Sequence, residues 1–282
     1  MKTNCSKNSA LGICLCSLLA VSGCVIQIGD WPRAKHEKTI RLQAPLEPSS
    51  TVAAKTSFGS ITVRGADVAD CNVIARICVQ APTEEEAAEI AEQVKIGLEP
   101  FGKTLTVRAD KPRVRNNRSI SISFEMTVPK QVNIECASSY GSIELSDTSG
   151  YVKAHTSYGS IKCDGINGQI RVDTSYGHVD CREIISGELT VDSSYGSIDI
   201  EYSDLAPSEI QSDIRTSYGD IDFTAPSGFT GQVEIATSYG SINTDLPITV
   251  KGKISNKQIE GTIGEGNGKL SLKTSFGSIR IR

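Results

Sequence analysis

The sequence predicts an all-β protein, a parallel β-solenoid with a β-rich N-terminal cap that carries one α-helix. Three observations predict it. A motif of Thr or Ser, then Ser, Tyr or Phe, Gly, a residue that is usually Ser, and Ile or Val occurs eight times, with its aromatic at Phe58, Tyr140, Tyr158, Tyr176, Tyr195, Tyr218, Tyr239 and Phe276. From Tyr140 to Tyr239 the copies stand 18, 18, 19, 23 and 21 residues apart, the scale of one winding of a repeat fold. On both sides of the motif apolar residues alternate with polar ones, which is the period of a strand with one buried face.

Six residues before the aromatic stand Val52, Ile134, Val152, Ile170, Leu189, Ser212, Val233 and Leu270; three after it stand Ile61, Ile143, Ile161, Val179, Ile198, Ile221, Ile242 and Ile279. The apolar parity slips by one between the two arms, so the aromatic-Gly step must be a corner, with Gly supplying a backbone conformation that side chains resist. Further turns are expected at Ser149-Gly150, Asp164-Gly165 and Asn167-Gly168. Each winding then stacks about 4.8 Å above the last. An antiparallel sandwich of hairpins is the competing architecture, but hairpins need no ladder of eight matched corners.

The chain starts with Lys2 and Lys7, continues with an apolar stretch from Ala10 to Ala20, and reaches Val21-Ser22-Gly23-Cys24. That order is a secretory signal, too short to span a bilayer as a mature helix. Small residues just before a cysteine resemble the lipobox of bacterial lipoproteins. The resemblance implies removal of residues 1–23, lipidation of Cys24 and a linker over 24–37. Val25 in place of Asp favours the outer over the inner membrane. Removing Lys2 and Lys7 takes the net charge from −4 to −6. Neither the total nor any local run offers a basic face, which argues against nucleic acid as a partner. Beyond the leader and Cys24 the cysteines are Cys71, Cys78, Cys136, Cys163 and Cys181, an odd set with no C-x-x-C spacing, and the histidines are only His36, His155 and His178. A structural zinc site is not expected.

Residues 38–130 form the N-terminal β-rich region. Its helix is expected over 83–97, with Thr83 and Glu86 as a capping box and Ala87, Ile90, Ala91, Val94 and Leu98 as an apolar stripe. The helix should pack on the first sheet or cover the solenoid end. The repeat solenoid follows over 131–282.

The runs Phe124–Pro129, Val132–Ile134, the serial T-S-Y-G-S-I units, Gly261–Gly264 and Leu270–Ile279 resemble the bacterial "putative adhesin" β-helix family, a domain of unknown function with T-S-N-G-x-I repeats. The resemblance spans roughly residues 40–282. It implies a non-catalytic adhesin-like role and offers no catalytic residues; Tyr or Phe stands here where that family has Asn.

Three side-chain sets are candidate sites. Tyr140, Tyr158, Tyr176, Tyr195, Tyr218 and Tyr239 should stack along one edge, either to stabilise the corner, with the unvarying Ser beside each ring hydrogen-bonding between coils, or as a flat strip on which a sugar or partner protein lies. Asp180, Asp199 and Asp222 fall in one outward column. They form either a solvated acidic stripe or a calcium site, and the glycine-rich calcium nonapeptide is absent. Cys163 and Cys181 share one inward position on adjacent coils, as a disulfide or as two packed thiols. No hydrolase, zinc-protease or phosphate-loop motif is present. No cofactor is expected. The reading is a lipid-anchored cell-envelope scaffold or binding module whose partners are the membrane and an unknown envelope protein or glycan. The alternatives are an envelope sensor that regulates another protein and a carbohydrate-active β-helix enzyme.

Overall fold

The computed structural model describes residues 34–250 and 255–282. Among them, 23 strands form two sheets of 11 and 12 strands, with one helix. The leader, Cys24 and most of the 24–37 linker lie outside the described residues.

Each motif-bearing coil contributes one strand to each sheet, and the chain crosses from one sheet to the other at the aromatic-Gly corner. In the coil of Tyr158, for instance, Val152–Tyr158 lies in the larger sheet and Ile161–Asp164 in the smaller. Neighbouring coils pair in parallel and in register: Tyr158 sits beside Tyr140 and Tyr176, Ile161 beside Ile143 and Val179. The solenoid expectation holds and the antiparallel sandwich does not. Parallel pairing suits near-identical coils because each apolar residue then meets its own counterpart. The Ile, Val and Leu columns form one continuous buried interior.

Ser212 interrupts the column six before the aromatic, and Tyr202 explains it. The Tyr202 hydroxyl lies 2.8 Å from the Ser212 hydroxyl in the buried interior, and its ring sits 5.7 Å from that of Phe223. One larger side chain thus fills the space and satisfies the polar atom.

Glycine at the corner has two causes: the expected conformation, since Gly59 takes φ +128° and Gly196 φ +149°, and a lack of space. At Gly177 the φ angle lies outside the left-handed region, yet an added Cβ would overlap the backbone carbonyl of Gly159 in the next coil. Close approach of two backbones excludes any side chain there. Conformation matters at the opposite turn as well, where Gly165 takes φ +63°.

Coil order is not chain order. The coil of Thr51–Ala66 stacks between the strands of Thr104–Pro129 and the coil of Tyr140. The last coil, Gly268–Ile281, inserts between those of Tyr218 and Tyr239. Gln258–Ile263 then closes one edge by pairing antiparallel with Gly231–Tyr239. Covering an open strand edge in this way removes a row of unpaired backbone groups.

At the N-terminal end Ala34–Pro45 pairs antiparallel with Asp70–Ala81, which pairs antiparallel with Ser119–Pro129. The helix, α1, runs Glu84–Gln93 and packs on the first two of these strands. Thr83 caps it, accepting from the Glu86 amide at 3.3 Å. It is shorter than the expected 83–97, because Val94 turns extended and Lys95–Phe101 forms a hairpin strand with Thr104–Asp110. Val94 and Leu98, read as helical stripe, belong to that extended segment. Glu86 does not reach back to close a capping box, since its carboxylate is taken by Arg118.

Candidate functional site

The motif aromatics emerge on one corner of the solenoid and remain exposed. The rings stack in the order Phe58, Tyr140, Tyr158, Tyr176, Tyr195, Tyr218, Phe276, Tyr239, with centroids 4.7–5.0 Å apart and planes within 7° of parallel. Strand spacing sets this interval. Flat carbon surfaces touch at about 3.5–4.0 Å, so rings held farther apart than that between centroids are slipped sideways into offset stacks. Seven intervals carry the ladder over about 34 Å.

Every ring is at least 43% exposed, yet each interior ring has a neighbour against both faces. What meets solvent is therefore a ridge of ring edges and phenol hydroxyls. The flat platform for a sugar expected from the sequence is not formed by the interior rings. Only Phe58 and Tyr239, at the ends, have a face without a stacked ring. A lysine sits over each: Lys111 Nζ lies 6.0 Å from the Phe58 centroid and Lys257 Nζ 5.8 Å from that of Tyr239. A cation over a ring face is attracted by its quadrupole.

The hydrogen bonding that ties the corners together comes from the Thr or Ser two residues before the aromatic, not from the Ser directly beside it. Thr156 Oγ1 donates to the Gly141 carbonyl at 3.2 Å, Thr174 to Gly159 at 3.3 Å, Thr216 to Gly196 at 3.2 Å and Thr274 to Gly219 at 3.0 Å. The side chain two before each ring points inward, where a carbonyl of the adjacent coil awaits it, while the side chain one before points out. Ser193 holds the equivalent place in the Tyr195 coil, and its buried hydroxyl has no partner.

The acidic column is broken up by basic partners. Asp180 accepts from Arg182 Nε at 2.8 Å, Asp199 lies 3.2 Å from His178 Nε2, and Asp222 accepts from Arg280 Nη1 at 2.9 Å. Arg280 reaches Asp222 because the last coil inserts beside it, which chain order does not reveal. Burial raises the Asp199 pKa above the usual carboxylate range, opposed in part by His178. Among the described residues no three His, Cys, Asp or Glu side chains are grouped to hold a metal.

Cys163 and Cys181 are register partners in the buried interior, but both are free thiols. They are not bridged. A hydrogen bond donated by the Cys181 thiol to Cys163, together with burial, pushes Cys181 well above its usual pKa. In-register parallel strands aim both Cβ atoms the same way, which disfavours the geometry of a disulfide.

A basic run does exist, contrary to the expectation of none: Lys111–Arg118 holds four cations and no acid. Its signal is the string K-P-R-V-R-N-N-R, masked by the acidic total.

A two-sheeted parallel β-solenoid with its corners marked by an external aromatic ladder is a repeat scaffold of the kind that offers long surfaces. The chain belongs to the Toastrack DUF4097 family, whose model matches residues 104–282. The coil of Thr51–Ala66 lies outside that match, although it stacks within the same sheets. No curated protein matches the chain. Among solved structures it is similar to a "putative adhesin" of Bacteroides fragilis, at 15% identity over 87% of this chain and 97% of that one, TM-score 0.44. A "putative lipid binding protein" of Parabacteroides distasonis matches at 11% identity over 86% and 96%, TM-score 0.43. A "putative cell adhesion protein" of Clostridium sporogenes matches at 14% over 86% and 99%, TM-score 0.38.

Proposed function

We propose that this chain is a non-catalytic, adhesin-like binding module of the bacterial cell envelope, held by lipid on Cys24 and engaging its partner along the aromatic ridge. The observation that carries the reading is the ladder itself. Eight contiguous rings stay exposed, and an exposed apolar surface of that extent marks an interaction site. The ridge recognises by edges and hydroxyls. A glycan chain or an extended protein segment lying along it would hydrogen-bond to successive tyrosines rather than stack on their faces. The leader, the small residues before Cys24 and the absence of Asp at position 25 support anchoring at the outer membrane. Asp180, Asp199 and Asp222 line one shallow cleft, but each is held by a basic partner, Arg182, His178 and Arg280, which supports a non-catalytic role.

Pull-down from solubilised envelopes tests the ridge, comparing the parent with Tyr158→Ser/Tyr195→Ser. The parent should capture a defined glycan or a single envelope protein, and the variant should lose it while keeping its far-UV circular dichroism. A glycan supports the adhesin role, and one protein supports the sensor alternative. Identical capture by both chains refutes the ridge. The anchor is tested apart, by Cys24→Ala, which should release the protein from membranes.

A further inference from the structure

In the motif coils the two strands meet at a tight aromatic-Gly corner. Between Thr104–Asp110 and Ser119–Pro129 the chain instead makes the eight-residue loop Lys111–Arg118. Those flanking strands pair with Thr51–Ala54 and Ile61–Ala66, so the loop occupies the corner next to Phe58 and ends the ladder. A groove of about 720 Å³ opens between the loop and the rings of Phe58 and Tyr140.

The groove pairs cations with an apolar floor. Lys111, Arg113, Arg115 and Arg118 line it, with no carboxylate among the lining residues. Arg118 is structural: its Nε donates to Glu86 and its Nη1 to the Asn116 carbonyl at 2.9 Å, which fixes the loop. Arg113 and Arg115 are exposed, and the charged residues two places away are cations: Lys111 and Arg115 for Arg113, and Arg113 for Arg115. At four other surface arginines that place belongs to an aspartate: Arg108 has Asp110, Arg171 has Asp173, Arg182 has Asp180 and Arg215 has Asp213. Ile120 is buried at the floor and Val114 packs partly against the core.

We propose that this groove takes the headgroup of an anionic phospholipid, with the phosphate on Arg113 and Arg115 and the glycerol and first methylenes against Phe58 and Val114. Guanidinium groups match phosphate oxygens in geometry as well as charge. The volume suits a headgroup-sized ligand. Glu84 and Glu85, exposed in the first turn of α1, stand within a turn of the Glu86 that binds Arg118. They confine the positive field to the groove, which favours an inserted headgroup over a long polyanion laid across the surface. Position agrees as well. Lys35 pairs with Gln80 and Gln80 with Ser119, so Ala34 starts about 10 Å from the loop, two strand spacings away. Ala34 lies ten positions after Cys24, at most about 36 Å of extended chain. This last point rests on the lipid-anchor reading; the groove chemistry does not.

The test uses mature chain carrying Cys24→Ser, so that failure of the anchor reading leaves it intact. Sedimentation is measured with vesicles of phosphatidylcholine, alone or mixed with phosphatidylglycerol, and with soluble dextran sulfate as a separate arm. The protein should bind only the mixed vesicles. Arg113→Ser/Arg115→Ser should weaken that binding by about thirtyfold, as two cations lost at an anionic surface imply. Neither side chain is tied to another part of the fold among the described residues, so circular dichroism should not change. Phe58→Ala should weaken binding as well. Equal binding to both vesicle types, an unaffected arginine variant, or arginine-dependent binding of dextran sulfate without vesicle binding would each overturn the proposal.

Discussion

Replacing Gly177 with alanine should destabilise the solenoid by about 3–5 kcal/mol, through a cost visible only between coils. The new Cβ would overlap the Gly159 carbonyl carbon and oxygen, and it would approach the Ser160 amide at 3.1 Å. Those are backbone atoms of a corner held on its other side by a further coil, so no side-chain motion relieves the clash. Overpacking of this kind costs about 1–3 kcal/mol. Prying the coils apart also stretches the Gly159 N–H to Tyr176 carbonyl bond and the Ile161 N–H to His178 carbonyl bond, both 3.0 Å, at about 1 kcal/mol each. Gly187 supplies the control, because an added Cβ there meets nothing within 4 Å and its φ is unexceptional. Urea unfolding followed by circular dichroism should place Gly187→Ala within about 1 kcal/mol of the parent. If Gly177→Ala unfolds alongside it, the close-approach account of the corner glycines is wrong.

Tyr176→Ala removes two offset stacks, each with centroids 4.9 Å apart, and should cost about 1–3 kcal/mol in the same assay; no loss would mean the rings merely coexist. Ser193→Thr should be neutral or stabilise by up to about 1 kcal/mol, since threonine bonds the adjacent coil at the equivalent place in other windings; a loss above that would show the site too tight for a methyl group. Stability should fall at alkaline pH. Burial raises Cys71 to about 11 and lifts Cys136 higher, while a hydrogen bond donated to Cys163 and burial raise Cys181. Unfolded thiols ionise near pH 8.5, so this stability is complete below that value and is lost as pH rises through the folded values, at up to about 1.4 kcal/mol per unit per thiol. A parent whose stability stays flat between pH 8.5 and 10, or whose slope is matched by Cys71→Ala/Cys136→Ala/Cys181→Ala, would contradict it.

Part of the candidate site was legible in the sequence and part was not. The aromatic repeated at each corner is enough to put six tyrosines on one edge, and stacking follows from strand spacing. Its exposure was not legible. A ring at a corner is equally compatible with burial beneath a loop, and the ridge is open only because no described segment covers it. The basic groove escapes sequence reading for a related reason. Lys111–Arg118 gains meaning from lying where a ninth corner would be, against Phe58, 53 residues earlier in the chain than Lys111.

The sequence by itself determined the strands, their inward faces and their register, because each coil pairs with a near copy of itself and alternation permits only one parity to be buried. Only the tertiary structure decided which coil stacks on which. The repeated T-S-Y-G edges are chemically interchangeable, so local pairing energy barely distinguishes one neighbour from another. The choice passes to connection length and to closing the ends: the segment after Tyr239 runs antiparallel to its own coil, and the last coil slips between those of Tyr218 and Tyr239. That insertion sets Arg280 against Asp222 and completes the ladder with Phe276, two facts that no local pattern contains.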